Sequence, residues 1–236
     1  MSIIGLSADE LVRDLNLTIP IDLNKICENY NIKIVYRDII SADGYFIPIK
    51  KKIIISNKIR GTYKERFTIA HELGHYFNLN DKTYKLDAYY YKDYKSKDKQ
   101  DKFEREADEF AAELLMPKIF IKNTLEEIDI KDWKKLIDLS MKYQVSIAAI
   151  LIKYIDNSYG INRIGCYYNN KLIWQYGNNY SFNIEKNILD SEEATNLYTR
   201  SNNSEWINGD YEFIDHVLID KGNIKYLLIS VYTDSE

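Results

Sequence analysis

Apolar positions along the chain fall into blocks with different periods, and the periods predict the elements. Ser7-Ala8-Asp9-Glu10 has the form of a capping box at the start of a short helix. Pro20 breaks the chain, and Asp22 can cap a second helix with Leu23, Ile26 and Cys27 on one stripe. Residues 32–36, 44–49 and 52–56 are rich in β-branched and aromatic side chains and read as a small sheet. Helical spacing returns over 62–78, where Phe67, Ala70, Leu73, Gly74 and Phe77 predict a largely buried helix. The pattern breaks across 80–102, a Lys-, Asp- and Tyr-rich stretch centred on Tyr89-Tyr90-Tyr91. It reads as a solvated loop, or more sharply as a lid or substrate-binding edge. Residues 101–116 carry the stripe Phe103, Ala107, Phe110, Ala111 and Leu114, ended by Pro117. Two further helices are predicted at 133–143 and 146–154.

After Asn157-Ser158-Tyr159-Gly160 the texture becomes β-rich. Residues 163–168 and 171–176 meet at Asn169-Asn170 as a hairpin, and 211–219 and 224–231 meet near Lys221-Gly222-Asn223 as another. A short helix is predicted around 191–199. The expected fold class is therefore α+β. A mainly helical domain with a small sheet spans 1–158, and a small α+β module spans 159–236.

Composition narrows the function classes. The chain has 236 residues, with 32 Lys and Arg against 36 Asp and Glu, a net charge of −4. That balance argues against a protein that grips nucleic acid through a basic face. No stretch approaches the roughly 18 apolar residues of a membrane span, and the first residues lack a secretory pattern. Two cysteines, Cys27 and Cys166, are too few for a disulfide framework, so a cytoplasmic protein with reduced thiols is expected.

Histidine occurs three times, and two of the three stand in His71-Glu72-Leu73-Gly74-His75. On a helix, positions i and i+4 share a face, so both imidazoles can reach one metal ion. Glu72 follows the first ligand and can act as general base on water at that ion. Composition alone would produce this HExxH pattern in roughly one such sequence in 400. Gly74 sits mid-helix at a cost of about 1 kcal/mol relative to Ala, and its small size permits close approach by another element. A catalytic site needs a third protein ligand. Cys27, Cys166 and His216 have no sequence link to the motif. The 101–116 helix offers Glu104, Glu106, Asp108, Glu109 and Glu113. Glu104 and Asp108 share one flank of its stripe at i, i+4 spacing. Glu104 is therefore the expected ligand, and Asp108 the carboxylate that accepts a ring N–H from a ligand histidine. Glu106, on the other flank, is the alternative third ligand.

The run Arg66 to Tyr76, followed by Glu104 to Pro117, closely resembles the ImmA/IrrE family of metallopeptidases. Ile19-Pro20-Ile21-Asp22-Leu23 and Val145-Ser146 are similar to that family as well, so the resemblance covers about 5–155. It implies a zincin-like, cytoplasmic metalloendopeptidase using zinc or manganese. It implies as substrate a helix-turn-helix repressor of a mobile element, phage or stress regulon. Some members carry a sensory C-terminal domain, so 159–236 is a candidate sensory or partner-binding module. The competing function is a non-proteolytic antirepressor or sensor that binds a repressor or a toxin–antitoxin partner. An intact Glu72 favours the peptidase. Tyr76 is expected to face the core, leaving a tyrosine of 84–94 or His216 as candidate stabilisers of the oxyanion.

Overall fold

The computed structural model describes residues 7–79, 97–129, 132–157, 162–168, 171–177, 204–208, 211–220 and 223–232. It opens on α1 (Ala8–Asp14), where the Glu10 carboxylate accepts the Ser7 backbone N–H at 2.8 Å and the Ser7 hydroxyl accepts from Glu10 N–H at 3.3 Å. The Asp22 carboxylate accepts the Lys25 N–H at 3.0 Å and starts α2 (Leu23–Asn29). Both caps satisfy amides that the first helical turn leaves without partners.

Strands β1 (Lys33–Arg37), β2 (Gly44–Ile47) and β3 (Lys52–Ser56) form a sheet in the order β1-β3-β2. The β1–β3 pair is parallel and the β2–β3 pair antiparallel, with Phe46 opposite Ile53. The central strand is the apolar one: Ile53 and Ile55 are fully buried. Helix α3 (Tyr63–Leu79) packs on β2 and β3, and α4 (Lys97–Leu115) packs on α3 and α1. Leu11, Ile26, Leu73, Phe77, Ala107 and Leu114 fill the space between these elements. Cys27 is 3% exposed, and burial pushes its thiol up to about 12, so it is a packing residue with no thiolate to offer a metal.

Three helices follow: α5 (Lys118–Glu127), α6 (Trp133–Tyr143) and α7 (Ile147–Asn157). Two differences from the expected elements have simple causes. Pro117 ends α4 but also begins α5, since Phe120 and Ile121 N–H both bond its carbonyl; proline at a helix entrance forfeits no bond. Helix α4 starts at Lys97, four residues before the expected position, in a run of Lys, Asp and Gln that carries no apolar period to read.

The chain divides into two compact units. The first holds Met1–Thr124 with Leu139–Ser146, and the second holds Leu125–Asp138 with Ile147–Glu236. Within the second unit, β4 (Asn162–Tyr168), β5 (Lys171–Gly177), β6 (Ser204–Asn208), β7 (Tyr211–Asp220) and β8 (Asn223–Tyr232) form one antiparallel sheet. Their order is β5-β4-β8-β7-β6. Both predicted hairpins are present, and the β4–β8 pairing joins them. Helix α7 packs on β4 and β5. The predicted helix at 191–199 and the 84–94 tyrosines lie outside the described residues. The architecture is α+β and zincin-like, with mostly helical structure around a three-stranded sheet. Among the described residues, no helix is long and apolar enough to cross a membrane.

Candidate metal centre

Helix α3 turns one face away from the core. Ile69, Leu73 and Phe77 point inward and are at most 5% exposed, while His71 and His75 stand on the opposite side, one turn apart. Their rings meet edge to face with centroids 4.6 Å apart, and the two Nε2 atoms are 3.0 Å apart. Helix α4 brings Glu104 to both: Oε2 lies 3.2 Å from His71 Nε2, and Oε1 lies 3.6 Å from His75 Nε2. All three residues offer ligand atoms within 4.8 Å of one another. An ion about 2.0–2.2 Å from each donor sets tetrahedral ligands roughly 3.3–3.5 Å apart, so these residues fit a zinc-sized divalent cation.

The side chains around the three donors complete the arrangement. Asp108 Oδ1 lies 2.8 Å from His71 Nδ1, so that N–H donates to the carboxylate and Nε2 is left to face the site. Partial burial disfavours a charged His71, but its hydrogen bonds to Asp108 and Glu104 outweigh that and push it up to about 10. Hydrogen bonds from His71 and His75 hold Glu104 well below the usual carboxylate range, against the effect of burial. The same negative environment that favours a proton on the imidazole favours a divalent cation.

Glu72 is 6% exposed. Burial raises its carboxyl above the ordinary range, while the neighbouring His75 and His71 pull it back. The backbone N–H of Phe46 on the edge strand β2 lies near enough to lower it slightly as well. That influence comes from outside its own helix, and no sequence pattern marks it.

Gly74 explains how α4 comes so close. A Cβ there would sit 3.0 Å from Ala107 Cα, 3.1 Å from the Ala107 carbonyl oxygen and 3.3 Å from Phe110 Cβ. Any side chain would push the helix carrying Glu104 away from the helix carrying the histidines. The helix-propensity cost of glycine is the condition for the three-residue cluster.

The other expected residues fall elsewhere. Glu106 pairs with Lys102 at 3.6 Å and is not among the three clustered groups. Tyr76 is buried against Tyr30, Phe46 and Phe77, as its position on the helix predicts. His216 lies on β7, where its backbone pairs with Leu227. Phe67 departs from the expected buried stripe: it is 37% exposed, with its ring centroid 6.4 Å from that of His71. It stands four residues before His71, so the spacing that puts two histidines on one face also puts Phe67 there.

The sequence profile of Peptidase M78, described as the IrrE N-terminal-like domain, matches residues 27–154. The chain belongs to this family. M78 membership makes it a metallopeptidase and implies a metal cofactor, for which the His71, His75 and Glu104 cluster is the candidate donor set among the described residues. No curated protein matches the chain. Among solved structures, a Mycobacterium tuberculosis transcriptional regulator is similar in fold. It has 13% identity and a TM-score of 0.64, over 95% of this chain and 86% of the other.

In an M78 site of this form, Asp108→Asn is expected to weaken metal binding roughly 10–100-fold, the usual effect of losing a carboxylate that orients a histidine ligand. The amide can still accept from Nδ1–H but brings no charge. Competition against a chromophoric chelator measures the loss, and unchanged affinity would show that the Asp108 contact does not tune the site.

Proposed function

We propose that the chain is a zinc-dependent endopeptidase that cuts a helix-turn-helix transcriptional repressor, with manganese as the alternative ion. Glu72 carries this reading: it is a buried carboxylate next to a two-histidine, one-glutamate cluster. A metal that only stapled α3 to α4 would need no such carboxylate beside it. His71, His75 and Glu104 would hold the ion, and Asp108 would orient His71. The bound ion supplies Lewis acidity toward water and toward a peptide carbonyl. Glu72 takes the proton of the attacking water and delivers it to the leaving amine as the C–N bond breaks.

The repressor substrate rests on the family and on a fold likeness to a protein described as a transcriptional regulator. In this reading the protein acts in the cytoplasm, where such repressors work. Residues 1–158 form the peptidase domain, and 159–236 form a module that receives a signal or a partner. The test mixes the zinc-loaded full chain with a helix-turn-helix repressor taken from the genes flanking its own. Discrete fragments, absent when a chelator is added, are the expected result by gel and mass spectrometry. A repressor that leaves its DNA uncut would overturn the proteolytic reading in favour of antirepression by binding.

A further inference from the structure

The face of α3 that carries His71 and His75 is flanked on both sides. On one side β2 presses in so closely that a Cβ on Gly44 would lie 2.7 Å from Thr68 Cγ2. On the other, α4 touches α3 at Gly74 through Ala107 and Phe110. Phe67, His71 and His75 line the strip between these flanks. The imidazoles are there for their nitrogens, but the ring of Phe67 has no such duty. The core on the far side of the helix is already closed by Ile69, Leu73 and Phe77. A lone exposed aromatic is ordinary; one set a single turn from a candidate metal centre is informative about what enters that centre.

We propose that Phe67 forms the wall of a subsite that takes an apolar, preferably aromatic, side chain of the substrate residue next to the cleaved bond. The inference rests on the peptidase reading above and deepens it. Helix α4 supplies the acidic groups beside the histidines, with Glu104 3.6 Å from His75 and Asp108 2.8 Å from His71. The charges nearby fit an apolar occupant: Glu104 and Asp108 repel an acidic side chain, and the adjacent cation Lys64 is bound to Asp43 at 2.6 Å.

The test uses metal-binding probes, so that it reads binding rather than turnover. Acetohydroxamate and 3-phenylpropionohydroxamate carry the same chelating group, but only the second carries an aromatic side chain. Calorimetry on the zinc-loaded full chain is expected to show the aromatic probe binding roughly tenfold tighter, as for partial burial of a phenyl group. Phe67→Ala should bring the two affinities together while leaving acetohydroxamate unchanged. Phe67→Leu should keep most of the preference. Equal affinities in the unaltered protein, or a preference that survives Phe67→Ala, would overturn the subsite. If neither probe binds, the metal-centre reading fails first and takes the subsite with it.

Discussion

Glu72→Gln is expected to abolish cleavage while leaving the metal in place. The substitution preserves size and removes only the charge, so the packing around this buried side chain survives. On the proposed mechanism it removes the charge that takes a proton from water beside the His71, His75 and Glu104 cluster. General acid–base groups contribute about 10²–10⁴-fold, and the proposal gives this side chain both the acceptor and the donor role, so a loss of roughly a thousandfold is expected. Single-turnover cleavage of the repressor measures the rate, and elemental analysis of the same sample measures the metal. Full metal occupancy with a rate down by roughly a thousandfold would assign Glu72 to the proton transfers. Cleavage at the normal rate would remove Glu72 from the mechanism. Loss of the metal together with the rate would make the residue a structural support of the centre instead.

The parts of this site that could be read along the chain are those set by helical geometry. His71 and His75, and Glu104 and Asp108, are each i, i+4 pairs, so the face each pair shares follows from 3.6 residues per turn. Gly74 was informative for the same reason, since a glycine inside a helix has a cost that only close packing offsets. What could not be read depends on contacts between segments distant in sequence. The Phe46 amide is indistinguishable from any other strand N–H until β2 is placed beside α3. The pairing of β4 with β8, which joins the two predicted hairpins, spans some sixty residues and leaves no local mark. Helix α5 was hidden by Pro117, which reads as a stop from one side and serves as a start from the other. Phe67 was misplaced because its apolar character assigns it to the core, while its spacing from His71 assigns it to the metal face; the spacing prevails.

The choice between Glu104 and Glu106 turns into a second large effect. Glu104→Ala deletes one of the three candidate donors and leaves two imidazoles whose Nε2 atoms are 3.0 Å apart with no carboxylate between them. Removing a direct ligand should cost more than the roughly 10–100-fold typical of an orienting carboxylate. Glu106→Ala breaks a pair with Lys102 at 3.6 Å between partly exposed side chains, which contributes about 0.5 kcal/mol or less. Thermal unfolding separates the two without any knowledge of the substrate. A ligand at 100 times its dissociation constant stabilises the folded state by about 2.7 kcal/mol, or roughly 5–10 °C in Tm for a chain of this size. Added zinc should therefore raise the Tm of the unaltered protein and of Glu106→Ala by similar amounts, and should leave Glu104→Ala nearly unmoved over the same concentrations. The ion-free stability of Glu104→Ala is expected to stay within about 1–2 kcal/mol of the original, because Glu104 is half-exposed and takes no part in the packing of Gly74 against Ala107. A zinc response retained in Glu104→Ala and lost in Glu106→Ala would reverse the ligand assignment. It would also require α4 to rotate about its axis when the ion binds, because the present arrangement faces Glu104 toward both histidines.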